Sequence, residues 1–200
     1  MRIAREALPF VAVAGVLALA AAWWTPWAAL PPLLVLAFCL WFFRDPDRRP
    51  PQDPEALICP ADGRVIAASD GRVSIFMNVF DVHVCRTPAS GRLVSLTHAS
   101  GSFVAAFKDA ASESNERAIL VVEGPAGAVR FALVAGLVAR RIVTWVQPGQ
   151  DLAAGQRVGL IRFGSRVDVD LPPGARPAVR VGDRVRAGAS VLARSGGGRA

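Results

Sequence analysis

The sequence predicts a mainly β domain preceded by an N-terminal hydrophobic helical hairpin. Three observations carry this. No charged side chain occurs from Ala7 to Phe43. Beyond Arg44, short apolar runs are parted by glycine-containing turns and several alternate with period two, the pattern of strands in a sandwich or barrel. A ten-residue unit, Gly149–Val158, also recurs at Gly182–Val191.

Residues 1–43 form the predicted membrane-associated hairpin. The uncharged run splits at Thr25-Pro26 into Leu8–Trp24 and Trp27–Phe43, each 17 residues. A helix of that length spans roughly 26 Å, at the short end for a bilayer crossing. Trp23, Trp24 and Trp27 gather at the break, and tryptophan favours the headgroup region. Pro26, Pro31 and Pro32 oppose one continuous helix. Arg2 and Arg5 precede the pair and Arg44, Arg48 and Arg49 follow it, so both flanks are expected on the cytoplasmic side. A re-entrant hairpin has the same pattern. A cleaved signal peptide is disfavoured, since a second apolar segment follows and no small-x-small cleavage site precedes Trp23.

Residues 44–54 are polar and proline-rich and read as an extended linker along the membrane surface. Residues 55–200 carry the strand signals: Arg64–Ala68, Arg72–Val79, Arg92–Thr97, Ala118–Glu123, Val129–Ala135, Arg140–Val146, Arg157–Phe163, Arg166–Leu171 and Ala178–Val181. Only Phe103–Ser112 looks helical. The repeated unit turns on one glycine, runs a brief strand and turns again, and so resembles the hairpins of biotinyl and lipoyl carrier folds in a hammerhead or barrel-like domain. Neither copy holds the modifiable lysine a carrier needs, which disfavours carrier function.

Composition narrows the chemistry. The 200-residue chain carries a formal charge of +7, and 22 of its 23 cations are arginine, with Lys108 the exception. No dense basic run with interleaved aromatics exists, so anionic lipid headgroups are a better partner than nucleic acid. Cys39, Cys59 and Cys85 are odd in number and widely spaced, which favours structural thiols over disulfides. His83 and His98 are the only histidines, and no ligand cluster for a metal is expected. His83 sits in Asp81-Val82-His83-Val84-Cys85-Arg86, where a strand would put Asp81, His83 and Cys85 on one face. The candidate nucleophile is Ser165, whose Gly164-Ser165 pair interrupts two strand-like runs and leaves the glycine carbonyl open to the next hydroxyl. His98 reads as a polar residue at a strand end.

Several segments together resemble the short bacterial and archaeal phosphatidylserine decarboxylases: Phe42-Phe43-Arg44-Asp45-Pro46-Asp47-Arg48, Cys59-Pro60-Ala61-Asp62-Gly63, Phe80-Asp81-Val82-His83-Val84, Asn115-Glu116-Arg117 and Phe163-Gly164-Ser165. The resemblance implies self-cleavage between Gly164 and Ser165. The Ser165 hydroxyl attacks the Gly164 carbonyl to give an ester, and β-elimination cuts the chain. Dehydroalanine then hydrolyses to a covalent pyruvoyl (pyruvate) cofactor. Large (1–164) and small (165–200) fragments would form a heterodimer, with a dimer of these a further expectation. The ketone would form a Schiff base with the amine of phosphatidylserine in the membrane and act as electron sink while CO₂ leaves, giving phosphatidylethanolamine.

The resemblance also implies roles. Asp62 and His83 would assist Ser165, with Asp62 orienting an imidazole. Longer relatives carry a second histidine three residues on, where this chain has Arg86, a poor base. Either His83 serves both steps or Asp62 activates Ser165 more directly. Arg86 and Arg117 are candidate contacts for the substrate's phosphate and carboxylate. Two rival readings stand: a membrane-anchored β-domain adaptor without enzymatic activity, and a pyruvoyl decarboxylase acting on another serine-headed lipid.

Overall fold

The computed structural model describes residues 2–101, 115–125, 127–136, 141–162 and 164–195. It is mainly β, as the sequence predicts, and divides into two compact units, Met1–Asp47 and Arg48–Ala200.

In the first unit, α1 (Leu8–Trp24) and α2 (Leu30–Phe42) flank a break at Thr25, where Pro26 opens a single 3₁₀ turn. The break falls where the prolines and Thr25 predict it, although α2 starts three residues later than Trp27 because the 3₁₀ turn takes Pro26–Ala29. Strands β1 (Arg2–Ile3) and β2 (Arg44–Asp45) pair antiparallel and close the open end of the hairpin. Its seam uses small residues, with Ala14, Ala18, Ala29 and Cys39 buried, while Phe43 stacks on Phe10 at 5.6 Å between ring centres. Leu8, Val16, Leu19 and Leu34 point outward, and Trp23, Trp24 and Trp27 are exposed at the tip. Among the described residues, one helical stretch, Arg5–Trp24, is long and apolar enough to cross a membrane.

The second unit is built on an antiparallel eight-stranded sheet. In chain order its strands are β4 (Gly63–Ser69), β5 (Arg72–Met77), β7 (Gly91–Ala99), β8 (Arg117–Gly124), β9 (Gly127–Ala135), β11 (Asp151–Leu152), β13 (Ser165–Asp170) and β15 (Arg184–Val185). Their spatial order is β11-β7-β8-β9-β13-β5-β4-β15. Two three-stranded sheets complete the unit. One is β10 (Ile142–Thr144), β12 (Arg157–Ile161) and β6 (Val84–Arg86); the other is β14 (Arg176–Pro177), β16 (Val191–Arg194) and β3 (Ala56–Ile58). The period-two reading of β13 is realised directly. Val167 and Val169 enter the core with Val73, Ile75, Phe131 and Leu133, while Arg166, Asp168 and Asp170 take the other face.

The repeat seen in the sequence has a structural counterpart and a companion. Gly149 and Gly182 have φ of 92° and 98°, and Gly155 and Gly188 have 75° and 67°. Each copy meets a second, shorter repeat. Cys59-Pro60-Ala61-Asp62-Gly63-Arg64 and Thr87-Pro88-Ala89-Ser90-Gly91-Arg92 each leave a small-sheet strand and enter the large sheet. The hydrogen bonds match pair for pair. Ile58 N–H donates to Pro88 O at 2.7 Å and Arg86 N–H to Pro60 O at 2.8 Å. Gly188 N–H reaches Cys59 O at 2.8 Å, as Gly155 N–H reaches Thr87 O at 2.9 Å. Gly182 N–H reaches Val65 O, as Gly149 N–H reaches Leu93 O. The β unit is thus a pseudo-twofold arrangement in which β15 and β11 guard opposite edges of one sheet.

Two sequence expectations are corrected. Ala178–Val181 is not a strand: Arg180 and Asp183 exchange turn hydrogen bonds ahead of Gly182, and the short strand falls instead at Arg176–Pro177. Asp81 and His83 are not in a strand either, because Asn78 and Asp81 close a turn and β6 begins only at Val84. Phe103–Ser112 and Phe163 lie outside the described residues.

Candidate active site

Ser165 is the first residue of β13, a central strand laddered to Ala135 of β9 on one side and Met77 of β5 on the other. It is 0% exposed, and its hydroxyl has no hydrogen-bond partner among the described residues. An unmet buried hydroxyl costs about 1–3 kcal/mol, so a serine kept there for structure alone is disfavoured. Gly164 precedes it with φ of 70°, a left-handed conformation glycine adopts without strain. A Cβ at Gly164 would meet nothing within 4 Å, so the turn stands in open space.

His83 is brought to this turn. Gly164 N–H points to His83 Nε2 at 3.4 Å, and Nδ1 lies 3.0 Å from the backbone carbonyl of Asp81. A carbonyl only accepts, so Nδ1 carries the proton and Nε2 presents its lone pair toward Gly164. The imidazole is fully buried, and its own carbonyl accepts from Ile161 N–H at 3.3 Å. The Asp81 carboxylate fixes the loop by accepting from Asn78 N–H at 2.9 Å.

Asp62 is buried at the entrance to β4. Its Oδ2 meets Arg48 Nη2 at 2.9 Å and its Oδ1 accepts from Ala187 N–H at 2.8 Å. The Arg86–Pro60 backbone bond ties this segment to β6, three residues beyond His83. Burial, with the Asp62 charge adding to it, pushes the Cys85 thiol far above its ordinary range. Cys59 is raised likewise, chiefly by burial. Gly63 follows Asp62 at φ 145°, where a Cβ would run into the Phe76 carbonyl oxygen, so glycine at this position is a steric requirement of β4 lying on β5. In the other half the residue equivalent to Asp62 is Ser90.

The remaining candidates separate. Arg86 is buried and donates to Gly155 O at 3.0 Å, where the two copies of the repeat meet. Arg117 opens β8, and β9 lies between it and the strand of Ser165. His98 is exposed on β7, its Nε2 3.5 Å from Thr144 Oγ1, with β8 and β9 between its strand and β13.

Three supporting groups escaped the sequence reading. Asn115 is buried and donates to the carbonyl of Ala135, the residue laddered to Ser165, at 2.7 Å. Arg166 and Asp168, 3% and 5% exposed, form an ion pair directly after Ser165, and Arg166 Nη2 also donates to Ser74 Oγ at 2.9 Å. Arg48 supplies the cation on Asp62. The Asn-Glu-Arg and Asp-Arg segments marked two of these positions but not their targets, since a backbone carbonyl leaves no signature in sequence.

A family model described as phosphatidylserine decarboxylase matches residues 35–72 and 67–193. A phosphatidylserine decarboxylase proenzyme of Solibacter usitatus is 48% identical over 173 residues, 84% of each chain. That of Paraburkholderia phymatum is 43% identical over 209 residues, 96% of each chain. That of Burkholderia ambifaria is 44% identical over 206 residues, 96% of this chain and 95% of its own.

Proposed function

Since the chain belongs to the phosphatidylserine decarboxylase family, we propose that it converts phosphatidylserine to phosphatidylethanolamine with a pyruvoyl group made from its own Ser165. The observation that carries this is the buried, unmet Ser165 hydroxyl following a left-handed Gly164 whose N–H faces the lone pair of His83. Converting Ser165 to a ketone removes a buried hydroxyl that has no hydrogen-bond partner among the described residues, so the residues present fit the group.

Self-cleavage follows from these positions. The Ser165 oxygen attacks the Gly164 carbonyl carbon as His83 Nε2 takes the hydroxyl proton, and the Gly164–Ser165 C–N bond breaks to leave an ester and a free amine. Loss of the Ser165 Cα proton expels the Gly164 carboxylate. The dehydroalanine left on residue 165 takes up water and releases ammonia. The Asp81 carbonyl holds the imidazole in the reactive tautomer, and Asp62, clamped by Arg48 and Ala187 N–H, is assigned an assisting role from its motif position. Held at the start of β13, the ketone would supply an electrophile for the substrate amine and a sink for the electron pair released with CO₂. His83 is then the proton carrier at the site during turnover.

Both flanks of the apolar hairpin are positive, so the β unit works at the cytoplasmic surface, where its lipid substrate lies. Fragments 1–164 and 165–200 stay together, because β13 is laddered on both sides to strands of the large fragment. The test is a denaturing gel with mass spectrometry of the small fragment, alongside CO₂ release from phosphatidylserine. Wild type gives two fragments, the smaller with a ketone in place of its amino terminus, and Ser165→Ala stays whole. A wild-type chain that stays whole on long incubation and releases no CO₂ refutes the proposal.

A further inference from the structure

The large sheet carries a row of arginines one register step from Ser165, on the face opposite its side chain. Arg117 is paired with Val134, Val134 with Arg166, Arg166 with Phe76, Phe76 with Arg64, and Arg64 with Arg184. Side chains opposite one another on adjacent strands project to the same face. Most charge on this face is balanced internally: Arg166 meets Asp168, and Arg72 and Arg130 both meet Asp170. The edge is different. Arg64 and Arg184 are directly opposed, both are exposed, and the Arg64 side chain has no hydrogen-bond or ion-pair partner among the described residues. Arg184, 72% exposed on its side chain, comes within 3.5 Å of Asp81 Oδ1, on the loop that holds His83.

Like charges directly opposite one another on neighbouring strands are destabilising, and exposure does not require arginine at either position. Two and three strands from Ser165 along the sheet, the two positions flank other segments of the site. Arg64 is two residues beyond Asp62, and Arg184 touches the residue whose carbonyl orients His83. We propose that Arg64 and Arg184 form a subsite for the phosphodiester of a phosphoglyceride substrate, a specificity element resting on the decarboxylase reading. Opposed Cβ atoms lie about 5 Å apart, so two guanidinium groups can converge on the non-bridging oxygens of one phosphate. The phosphodiester separates the serine amine from the glycerol by a few bonds, so a headgroup whose amine lies at residue 165 would extend along the sheet rim toward this edge. Buried Arg86 cannot take this role without giving up the Gly155 carbonyl.

The test uses the mature protein and dihexanoylphosphatidylserine below its micellar concentration, so that no lipid surface is present. Arg64→Gln and Arg184→Gln cut themselves as wild type does, which also reports folding. Each raises KM roughly fivefold to tenfold with kcat within about twofold, and Arg64→Lys recovers part of the loss. Dihexanoylphosphatidylglycerol, which shares the phosphodiester and lacks the amine, competes with substrate, and its inhibition constant rises in parallel. An unchanged KM for the soluble substrate overturns the proposal. So does a defect confined to sedimentation with phosphatidylglycerol vesicles, which would make the pair a contact for the bulk membrane surface. Wild-type protein that neither cuts itself nor releases CO₂ overturns the decarboxylase reading itself, a failure visible before any variant is compared.

Discussion

Removing the Asp168 carboxylate should destabilise the β unit more than any surface change nearby. The Arg166–Asp168 pair sits on a central strand with both side chains almost fully buried, and Arg166 also bonds Ser74 of β5. Asp168→Ala takes the anion from a guanidinium that cannot reach bulk water. Breaking one partner of such a pair costs about 3–5 kcal/mol, whereas replacing both by apolar residues of similar volume costs far less. The measurement is urea unfolding in detergent on a Ser165→Ala background, which keeps one chain and one transition. With a slope of about 2 kcal/mol/M, the single variant should lower the midpoint by about 1.5–2.5 M. The double variant Arg166→Met, Asp168→Leu should recover more than half of that shift. A single-variant shift under about 0.5 M, or a double variant as unstable as the single, would refute the view that a buried charge pair anchors β13. With Ser165 restored, Asp168→Ala should also slow self-cleavage, because the strand that presents Ser165 is loosened.

Two further outcomes follow from the same geometry. Gly63→Ala should abolish soluble expression or lower stability by about 2 kcal/mol or more, since its Cβ collides with the Phe76 carbonyl in a left-handed conformation; a thermal midpoint within a few degrees of wild type would contradict this. Cys59 and Cys85 should resist iodoacetamide at pH 8 in the folded protein and label fully in urea, because burial raises both thiols above their ordinary value of 9.0. Their stabilising contribution is present in full below pH 9.0 and is lost as pH climbs past it, since only the unfolded chain then ionises, so alkaline titration should lower the urea midpoint less in a Cys59→Ala, Cys85→Ala variant.

What could be read from the sequence was whatever leaves a local pattern. The charge-free run gave α1 to the residue, and the alternation Val167-Asp168-Val169-Asp170 gave the two faces of β13. The strand at Ala178–Val181 was misread because apolar composition outweighed the turn chemistry of Arg180, Gly182 and Asp183. Treating Asp81–Cys85 as continuous strand missed the turn closed by Asn78 and Asp81. The Pro-Ala-x-Gly-Arg segments at 60–64 and 88–92 were visible as a second repeat, yet too short to notice until their hydrogen bonds coincided. Ser165 and His83 could be singled out as types and positions. That the imidazole is oriented by a main-chain carbonyl, and that Arg48 reaches Asp62, depends on folding distant segments together and has no counterpart in composition or spacing.

The central place of β13 bears on reversibility. Ser165 begins a strand whose every residue from 165 to 170 is laddered to a partner on each side. That arrangement is reached by one continuous chain, in which residues 165–200 are tethered close to the gap they fill. If the chain is cut as proposed, the same ladders would hold the strand in place, but the tether that lowered the entropy of closing them would be gone. Denatured and then diluted, the two pieces would meet as separate molecules, one of them 36 residues with no core of its own. Under the proposed self-cleavage, the uncut chain would act as a folding template consumed in making its product, and the lifetime of the mature protein would be set by the rate at which β13 escapes rather than by an equilibrium with its unfolded parts.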